Sequence, residues 1–158
     1  KDAIVSSLLI AEMAAFYNSK GTSIYKELQK LYQEFGYYLE GIKSVTLTGK
    51  DGIEKMANLM TELRETVKDR TIDKNIKIKR DFKTKKELIV ATGEEKDILL
   101  PVENVIQFVL EDDTYITARP SGTEPKIKFY FSVNAPTKEE VEKKLNETME
   151  KFVATLKL

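Results

Sequence analysis

The residues with the clearest chemical potential form the run RPSGTEP at positions 119–125. The guanidinium of Arg119 is a rigid fork of donors that matches two phosphate oxygens at once. Ser121 and Thr123 add hydroxyl donors, and Gly122 lets backbone N–H groups approach an anion closely. The two prolines restrict the run at both ends, so less entropy is lost when a ligand is bound. We predict that this segment binds a phosphate dianion.

Two features of the same run leave its interpretation open. The tripeptide Ser-Gly-Thr, taken alone, is more typical of an ordinary turn between strands than of an anion site. The carboxylate of Glu124 would repel a phosphate, so we expect it to turn away or to pair with Arg119 or Lys126. Anion binding by this run therefore depends on the strands and helices that position it.

The composition excludes several kinds of site. The chain has 158 residues with no cysteine and no histidine, so disulfides, thiolate sites, histidine metal clusters and Ser-His-Asp triads are absent from it. Basic and acidic residues number 26 each, which does not favour nucleic acid as a partner. We interpret the basic excess in residues 68–88 as a solvated strand face and the acidic pair at 112–113 as turn formers.

No stretch approaches the length of a membrane span and no secretory leader opens the sequence, so we expect a cytoplasmic protein without membrane contact. The first residue is Lys1 rather than methionine, and an apolar helical pattern begins almost at once. We expect the chain to be part of a longer one.

Hydrophobic periodicity predicts four helices, which begin near residues 4, 23, 51 and 137. The first should bury one apolar stripe, and the third should begin at an acidic cap, Asp51 with Glu54. The fourth should begin with a capping box at Thr137 and Glu140. The third helix should bury a stripe that consists of Ile53, Met56, Ala57, Met60, Leu63 and Val67.

The strands are predicted from β-rich or alternating runs at residues 44–47, 76–82, 86–90, 105–110, 115–118 and 126–133. In the run 76–82, Ile76 and Ile78 should share the buried face while Asp81 lies on the polar one. Residues 111–114 form a polar turn of hairpin length. The organisation from about residue 49 is thus helix, several antiparallel strands, helix.

The run RPSGTEPKIKFY, between strands and ahead of a final helix, resembles the phosphate-binding loop of the α-D-phosphohexomutases, the phosphoglucomutase and phosphomannomutase family. In that family the loop lies in the fourth and last domain. The opening run KDAIVSSLLIAEMAA resembles the helix near the end of the third domain. The similarity spans nearly the whole chain.

The resemblance implies an α+β fold in which two helices flank an antiparallel sheet, the TATA-binding-protein-like topology of the C-terminal domain in this family. Helices from the end of an α/β domain would precede it. Residues 1–48 would then close the third domain and form the connection, and residues 49–158 would form the C-terminal phosphate-binding domain. The topology by itself does not indicate DNA binding.

The resemblance also implies an isomerase that interconverts hexose 1-phosphates and 6-phosphates. In the family a phosphoserine of the first domain, assisted by Mg²⁺ on the second, transfers phosphate through a glucose 1,6-bisphosphate-type intermediate. The last domain grips the phosphate that is not transferred. By position the gripping residues here are Arg119, Ser121, Gly122 and Thr123, with Lys126 and Lys128 as nearby positive charges.

Lys1 is a further candidate, because a Lys-Asp-Gly at this point in many family members directs its lysine toward the active cleft. Here Ala3 replaces the glycine, and the alternative is a solvated lysine. The serine, metal and sugar-reading loops of the family do not occur, so we expect the fragment to be inactive without upstream domains. The alternative is a free-standing module that binds a phosphorylated ligand or protein.

Overall fold

The computed structural model describes residues 2–49, 51–65 and 76–156. The chain divides into two compact units, residues 1–37 and residues 38–158. The domain boundary after residue 48 stays a prediction.

The first unit contains two helices, α1 (Ala3–Ser19) and α2 (Ile24–Phe35). The side chain of Asp2 accepts a hydrogen bond from the backbone of α1, and that of Ser23 does the same for α2. These caps satisfy N–H groups that have no partner inside the helix. Gly36 follows α2 with a φ of 87°, a conformation that glycine adopts without strain. The predicted start of α2 near residue 23 is confirmed.

The apolar stripe of α1 is not buried as predicted. No described residue of α1 is buried, and Ile4 and Leu8 are 77% and 66% exposed. The remaining exposed apolar residues of the helix are Val5, Leu9, Ile10, Met13 and Phe16. The periodicity identified the helix correctly, but a unit of two helices has too little apolar surface to cover the stripe.

The second unit is a seven-stranded sheet with two helices, α3 (Gly52–Glu65) and α4 (Lys138–Thr155). In chain order the strands are β1 (Tyr37–Thr46), β2 (Ile76–Asp81), β3 (Lys86–Ile89), β4 (Glu94–Asp97), β5 (Ile106–Leu110), β6 (Tyr115–Pro120) and β7 (Lys126–Ala135). Across the sheet their order is β1-β7-β6-β5-β2-β3-β4. The pairings from β7 to β4 are antiparallel, so the predicted α+β class is confirmed.

The core lies between the helices and one face of the sheet. Phe129 and Phe131 of β7 point to this face, and both meet the ring of Phe152 of α4 edge to face, with centroid distances of 5.2 and 5.7 Å. Aromatic pairs in this geometry contribute about 0.5–1.5 kcal/mol beyond the area that they bury. The predicted N-cap residue starts α4, because the side chain of Thr137 accepts a hydrogen bond from the N–H of Glu140.

The opposite face of the sheet, called the open face below, is marked by the alternation of β6 and β7. Buried residues of these strands alternate with half-buried or exposed ones. The members of the second set, with the neighbouring residue of β5, are Gln107, Tyr115, Thr117, Arg119, Lys126, Lys128, Tyr130 and Ser132. The predicted alternation of residues 126–133 is confirmed.

The predicted faces of β2 are wrong. The register between β2 and β5 shifts between Ile76 and Ile78, as in a β-bulge, and the shift reverses the alternation along the strand. Asp81 is therefore buried, and its carboxylate lies 3.4 Å from Nε of Arg64 in α3. One extra residue in a strand moves all the following side chains to the opposite face of the sheet.

Other elements also differ from the prediction. β1 begins seven residues before the predicted start at residue 44, and the exposed, charged β4 was not predicted. In α3, Ile53 is 69% exposed and Ala57 is also exposed, whereas Leu59 is buried with Met60 and Leu63. The predicted stripe was therefore rotated relative to the sheet, and its last member, Val67, lies outside the described residues.

Candidate anion-binding site

The run 119–125 connects β6 to β7 as a tight turn. The N–H of Ser121 donates to the carbonyl of Lys126 at 2.7 Å, and the N–H of Lys126 donates to the carbonyl of Glu124 at 2.7 Å. β6 continues through Pro120, so the prediction that Arg119 lies in the loop is wrong, and Arg119 belongs to the strand. The paired backbone fixes the position of its Cα.

The hydroxyl oxygen of Ser121 organises the turn from inside. It accepts hydrogen bonds from the N–H groups of Thr123 and Glu124 at 3.3 and 3.2 Å. The hydroxyl hydrogen is still able to donate, because a serine oxygen can accept while its own proton bonds elsewhere. Ser121 can therefore shape the loop and also contact an anion.

The far end of the turn is attached to the segment between β1 and α3. The carbonyl of Pro125 accepts a hydrogen bond of 2.8 Å from the N–H of Leu47. A Cβ built on Gly52 would lie 2.2 Å from the carbonyl oxygen of Leu47 and 3.0 Å from the Cβ of Pro125. Only glycine fits at this contact, so the first residue of α3 helps to hold the turn in place.

Two cations face each other on the open face beside the turn. Arg119 of β6 and Lys128 of β7 are directly opposed partners in the sheet, and both are exposed. Like charges at opposed positions are unfavourable in a sheet unless something neutralises them. Within the described ranges, no carboxylate forms an ion pair with Arg119. The pair is therefore suited to an anion supplied from outside.

Lys126 is engaged differently. Its Nζ lies 2.9 Å from a carboxylate oxygen of Glu124, so Lys126 is the partner that this acid takes. The hydrogen bond from Lys126 and the charge of that lysine lower the pKa of Glu124, and the charge of Lys128 lowers it further. Glu124 stays ionised at neutral pH and offsets part of the positive charge at the turn.

Gly122 stands at an open part of the turn. A Cβ added there would meet no atom within 4 Å, and its φ is outside the left-handed region. The backbone conformation thus does not require glycine. What glycine provides is uncovered backbone at the surface of the turn, which suits the close approach of a ligand.

The other sequence-predicted groups are not brought to this turn. Lys1 lies outside the described residues. The part of the chain that the structure describes contains no group of three or more His, Cys, Asp or Glu side chains that could hold an ion, so we assign no Mg²⁺ ligand to it. Among the described helices, none has both the length and the apolar character needed to cross a bilayer.

The sequence did not predict that Lys128 stands opposite Arg119, or that Thr117 and Tyr130 form the next opposed pair along the same two strands. The alternation in residues 126–131 placed Lys128 and Tyr130 on one face. It could not show which residues of β6 stand opposite them, because pairing register is set by the turn and by the whole sheet.

The chain is similar to bacterial phosphoglucomutases. It is 32% identical over 141 residues to a phosphoglucomutase of Staphylococcus haemolyticus (strain JCSC1435), which is 89% of this chain and 26% of that protein. It is 34% identical over 146 residues to a phosphoglucomutase of Staphylococcus aureus (strain MRSA252), or 92% of this chain and 26% of that protein. The chain belongs to the phosphohexomutase family, as predicted. It spans about a quarter of the length of these relatives.

No family model matches this phosphohexomutase-family chain. Among solved structures, the open form of the exocytosis-sensitive phosphoprotein pp63/parafusin, a phosphoglucomutase from Paramecium, matches 82% of this chain and 23% of its own length. Its TM-score of 0.42 and 16% identity are too low to bear on the site.

Proposed function

We propose that this chain supplies the phosphate clamp of a phosphohexomutase and holds the phosphate group that is not being transferred. The observation that carries the proposal is the opposed pair of Arg119 and Lys128 beside the turn 119–125. Two cationic residues occupy directly opposed positions on a face that the core does not use, an arrangement that is unfavourable without an anion. A bound phosphate dianion would remove that repulsion and accept charge-assisted hydrogen bonds.

Each residue of the turn has a distinct role in this clamp. Arg119 offers a two-pronged contact to phosphate oxygens, and Ser121 donates its free hydroxyl hydrogen. Gly122 and Thr123 present backbone and hydroxyl donors at the exposed part of the turn. Lys126 adds positive charge that Glu124 moderates, so the site binds the anion without holding it irreversibly.

In the full-length protein the clamp would serve the interconversion of hexose 1-phosphates and 6-phosphates. The reaction would proceed through a bisphosphorylated intermediate of the glucose 1,6-bisphosphate type, with the reactive serine and Mg²⁺ on other domains of the same polypeptide. Closure of the clamp over the sugar phosphate would orient it and exclude water. The isolated fragment would be inactive, and the enzyme would work in the cytoplasm on phosphorylated hexoses.

The exposed apolar residues of α1 support the same proposal. A helix with a broad apolar surface is normally covered by a partner element. We assign residues 1–48 to the end of a third domain and its connection, and residues 49–158 to the C-terminal domain. Ile4 and Leu8 would then pack against the rest of the third domain in the longer protein.

The test measures inorganic phosphate binding to the 158-residue chain by isothermal titration calorimetry. Arg119→Ala and Lys128→Ala should each weaken binding, and Gly122→Ala should weaken it while leaving the thermal midpoint unchanged. Lys138→Ala is the matched control, since that lysine is exposed at the start of α4, away from the turn. In the full-length protein Arg119→Ala should lower kcat/KM, and an unchanged kcat/KM would refute the assignment.

A further inference from the structure

A groove of about 830 Å³ runs across the open face of the sheet, over strands β1, β7, β6 and β5. Its volume falls in the range of about 300–1,000 Å³ that is usual for small-ligand sites. The polar and aromatic side chains that line it are Glu40, Gln107, Tyr115, Thr117, Tyr130 and Ser132. The groove belongs wholly to the second unit, on the same face as the cation pair.

A line of hydrogen bonds leads into the groove from β3. Nε of Arg80 donates to Glu87 at 2.6 Å, and its Nη1 donates to Oε1 of Gln107 at 2.9 Å. Nε2 of Gln107 then donates to the hydroxyl oxygen of Thr117 at 3.0 Å. Because an arginine can only donate, the amide orientation of Gln107 is fixed by Arg80.

The line of hydrogen bonds ends at the hydroxyl group of Thr117, which still has a hydrogen to donate. The oxygen of Thr117 accepts from Gln107, so its hydroxyl hydrogen is left to bond with something in the groove. All four side chains of the line are half-buried, and their hydrogen bonds offset the cost of partly withdrawing the polar atoms from water. The line therefore holds the Thr117 hydroxyl in a fixed orientation at the groove, where a ligand could accept its hydrogen.

The other side chains of the groove present the same chemistry. Tyr130 stands directly opposite Thr117, and Tyr115 stands opposite Ser132. Over the described residues, the hydroxyls of Tyr115, Tyr130 and Ser132 form no hydrogen bond with the protein. Half-buried tyrosine rings offer an apolar face together with a polar tip. Apolar ring faces between hydroxyl groups that have no protein partner suit a polyhydroxylated ring.

The groove ends at Thr117 and Tyr130, and the cation pair lies beyond this end on the same two strands. Thr117 and Tyr130 are followed, two residues along each strand, by Arg119 and Lys128. At about 3.4 Å per residue, the two pairs are about 7 Å apart, a separation that one sugar ring attached to a phosphate can span.

We propose that the groove binds the sugar ring of a sugar phosphate whose phosphate lies between Arg119 and Lys128. The hydroxyl of Thr117 donates to an oxygen of the ring, and Tyr130 packs on the ring face. This inference rests on the proposed phosphate clamp and adds a contact to the sugar itself. Since one donor and one aromatic ring recognise many hydroxylated rings, the groove positions the sugar without selecting a single stereoisomer.

The test compares the dissociation constants of glucose 6-phosphate and inorganic phosphate for the whole chain, again by calorimetry. The unsubstituted chain should bind glucose 6-phosphate more tightly. Thr117→Val should weaken glucose 6-phosphate binding about two- to tenfold, the loss of one hydrogen bond, and leave inorganic phosphate binding unchanged. Thr117→Ser should restore the preference, because it returns the hydroxyl. Thr46→Val, at the exposed end of β1 outside the groove, is the control.

The failures of the two proposals are distinguishable. Equal affinities for the two ligands, or a preference that Thr117→Val leaves intact, would overturn the groove while the phosphate clamp stands. If neither ligand binds the unsubstituted chain, both proposals fail. A preference that is lost in Thr117→Val, regained in Thr117→Ser and kept in Thr46→Val supports the groove.

Discussion

Replacing Arg119 by lysine separates the charge of this residue from its geometry. Arg119→Lys keeps one positive charge opposite Lys128, so the electrostatics of the pair are nearly retained. It removes the planar fork and with it one of two parallel contacts to phosphate. A hydrogen bond to a charged group contributes about 1.5–3 kcal/mol. Because Arg119 is exposed, solvent screening favours the lower end of that range, so phosphate affinity should fall about tenfold.

The substitution should leave the fold intact, because Arg119 is exposed and strands accept lysine on an exposed face. The assay is titration calorimetry with inorganic phosphate at constant ionic strength, alongside thermal unfolding. Arg119→Ala, which removes charge and fork together, should lose more affinity than Arg119→Lys. If Arg119→Lys binds phosphate as well as the unsubstituted chain does, the site recognises charge alone and the bidentate argument is wrong.

Three further predictions concern the turn, the glycine that holds it and the core beneath the sheet. Gly52→Ala should destabilise the second unit by about 1–3 kcal/mol in urea unfolding, because its Cβ would clash with backbone 2.2 Å away; an unchanged midpoint would contradict this contact. Phe152→Ala, at a residue 1% exposed, should cost about 3–5 kcal/mol in the same assay. In an NMR titration, Glu124 should show a pKa below 4.5, and Lys126→Met should raise it. Since that pKa is lowered on folding, the stabilising pair should be present at neutral pH and lost as the pH falls through it.

The sequence predicted most elements of the sheet and helices because their apolar residues recur with clear periods. Strand β7 and helix α4 were placed correctly, since Phe129 and Phe152 belong to unambiguous buried stripes. β4 was missed because a short, fully exposed edge strand carries no apolar period. The faces of β2 were exchanged by the register shift after Ile76, which no local pattern revealed.

The site was located from the run RPSGTEP, but its arrangement required the fold. The sequence showed that Arg119 was near the turn, yet only the register places it on β6 opposite Lys128. Likewise the two expected partners of Glu124 could be named in advance, and the geometry selects Lys126. Local composition indicates which groups are available. Pairing across strands decides which of them act together.

In the proposed clamp, one face of the sheet provides stability and the other provides binding. On β6 and β7, Ala118 and Phe129 face the helices and are fully buried, while Arg119 and Lys128, their neighbours along the strands, face away. Burial of Ala118 and Phe129 fixes the backbone, so Arg119 and Lys128 can occupy opposed positions, which are unfavourable for like charges, without unfolding the sheet. Substitutions on the open face should therefore change ligand affinity with little effect on the free energy of unfolding, and substitutions on the helix face should do the reverse.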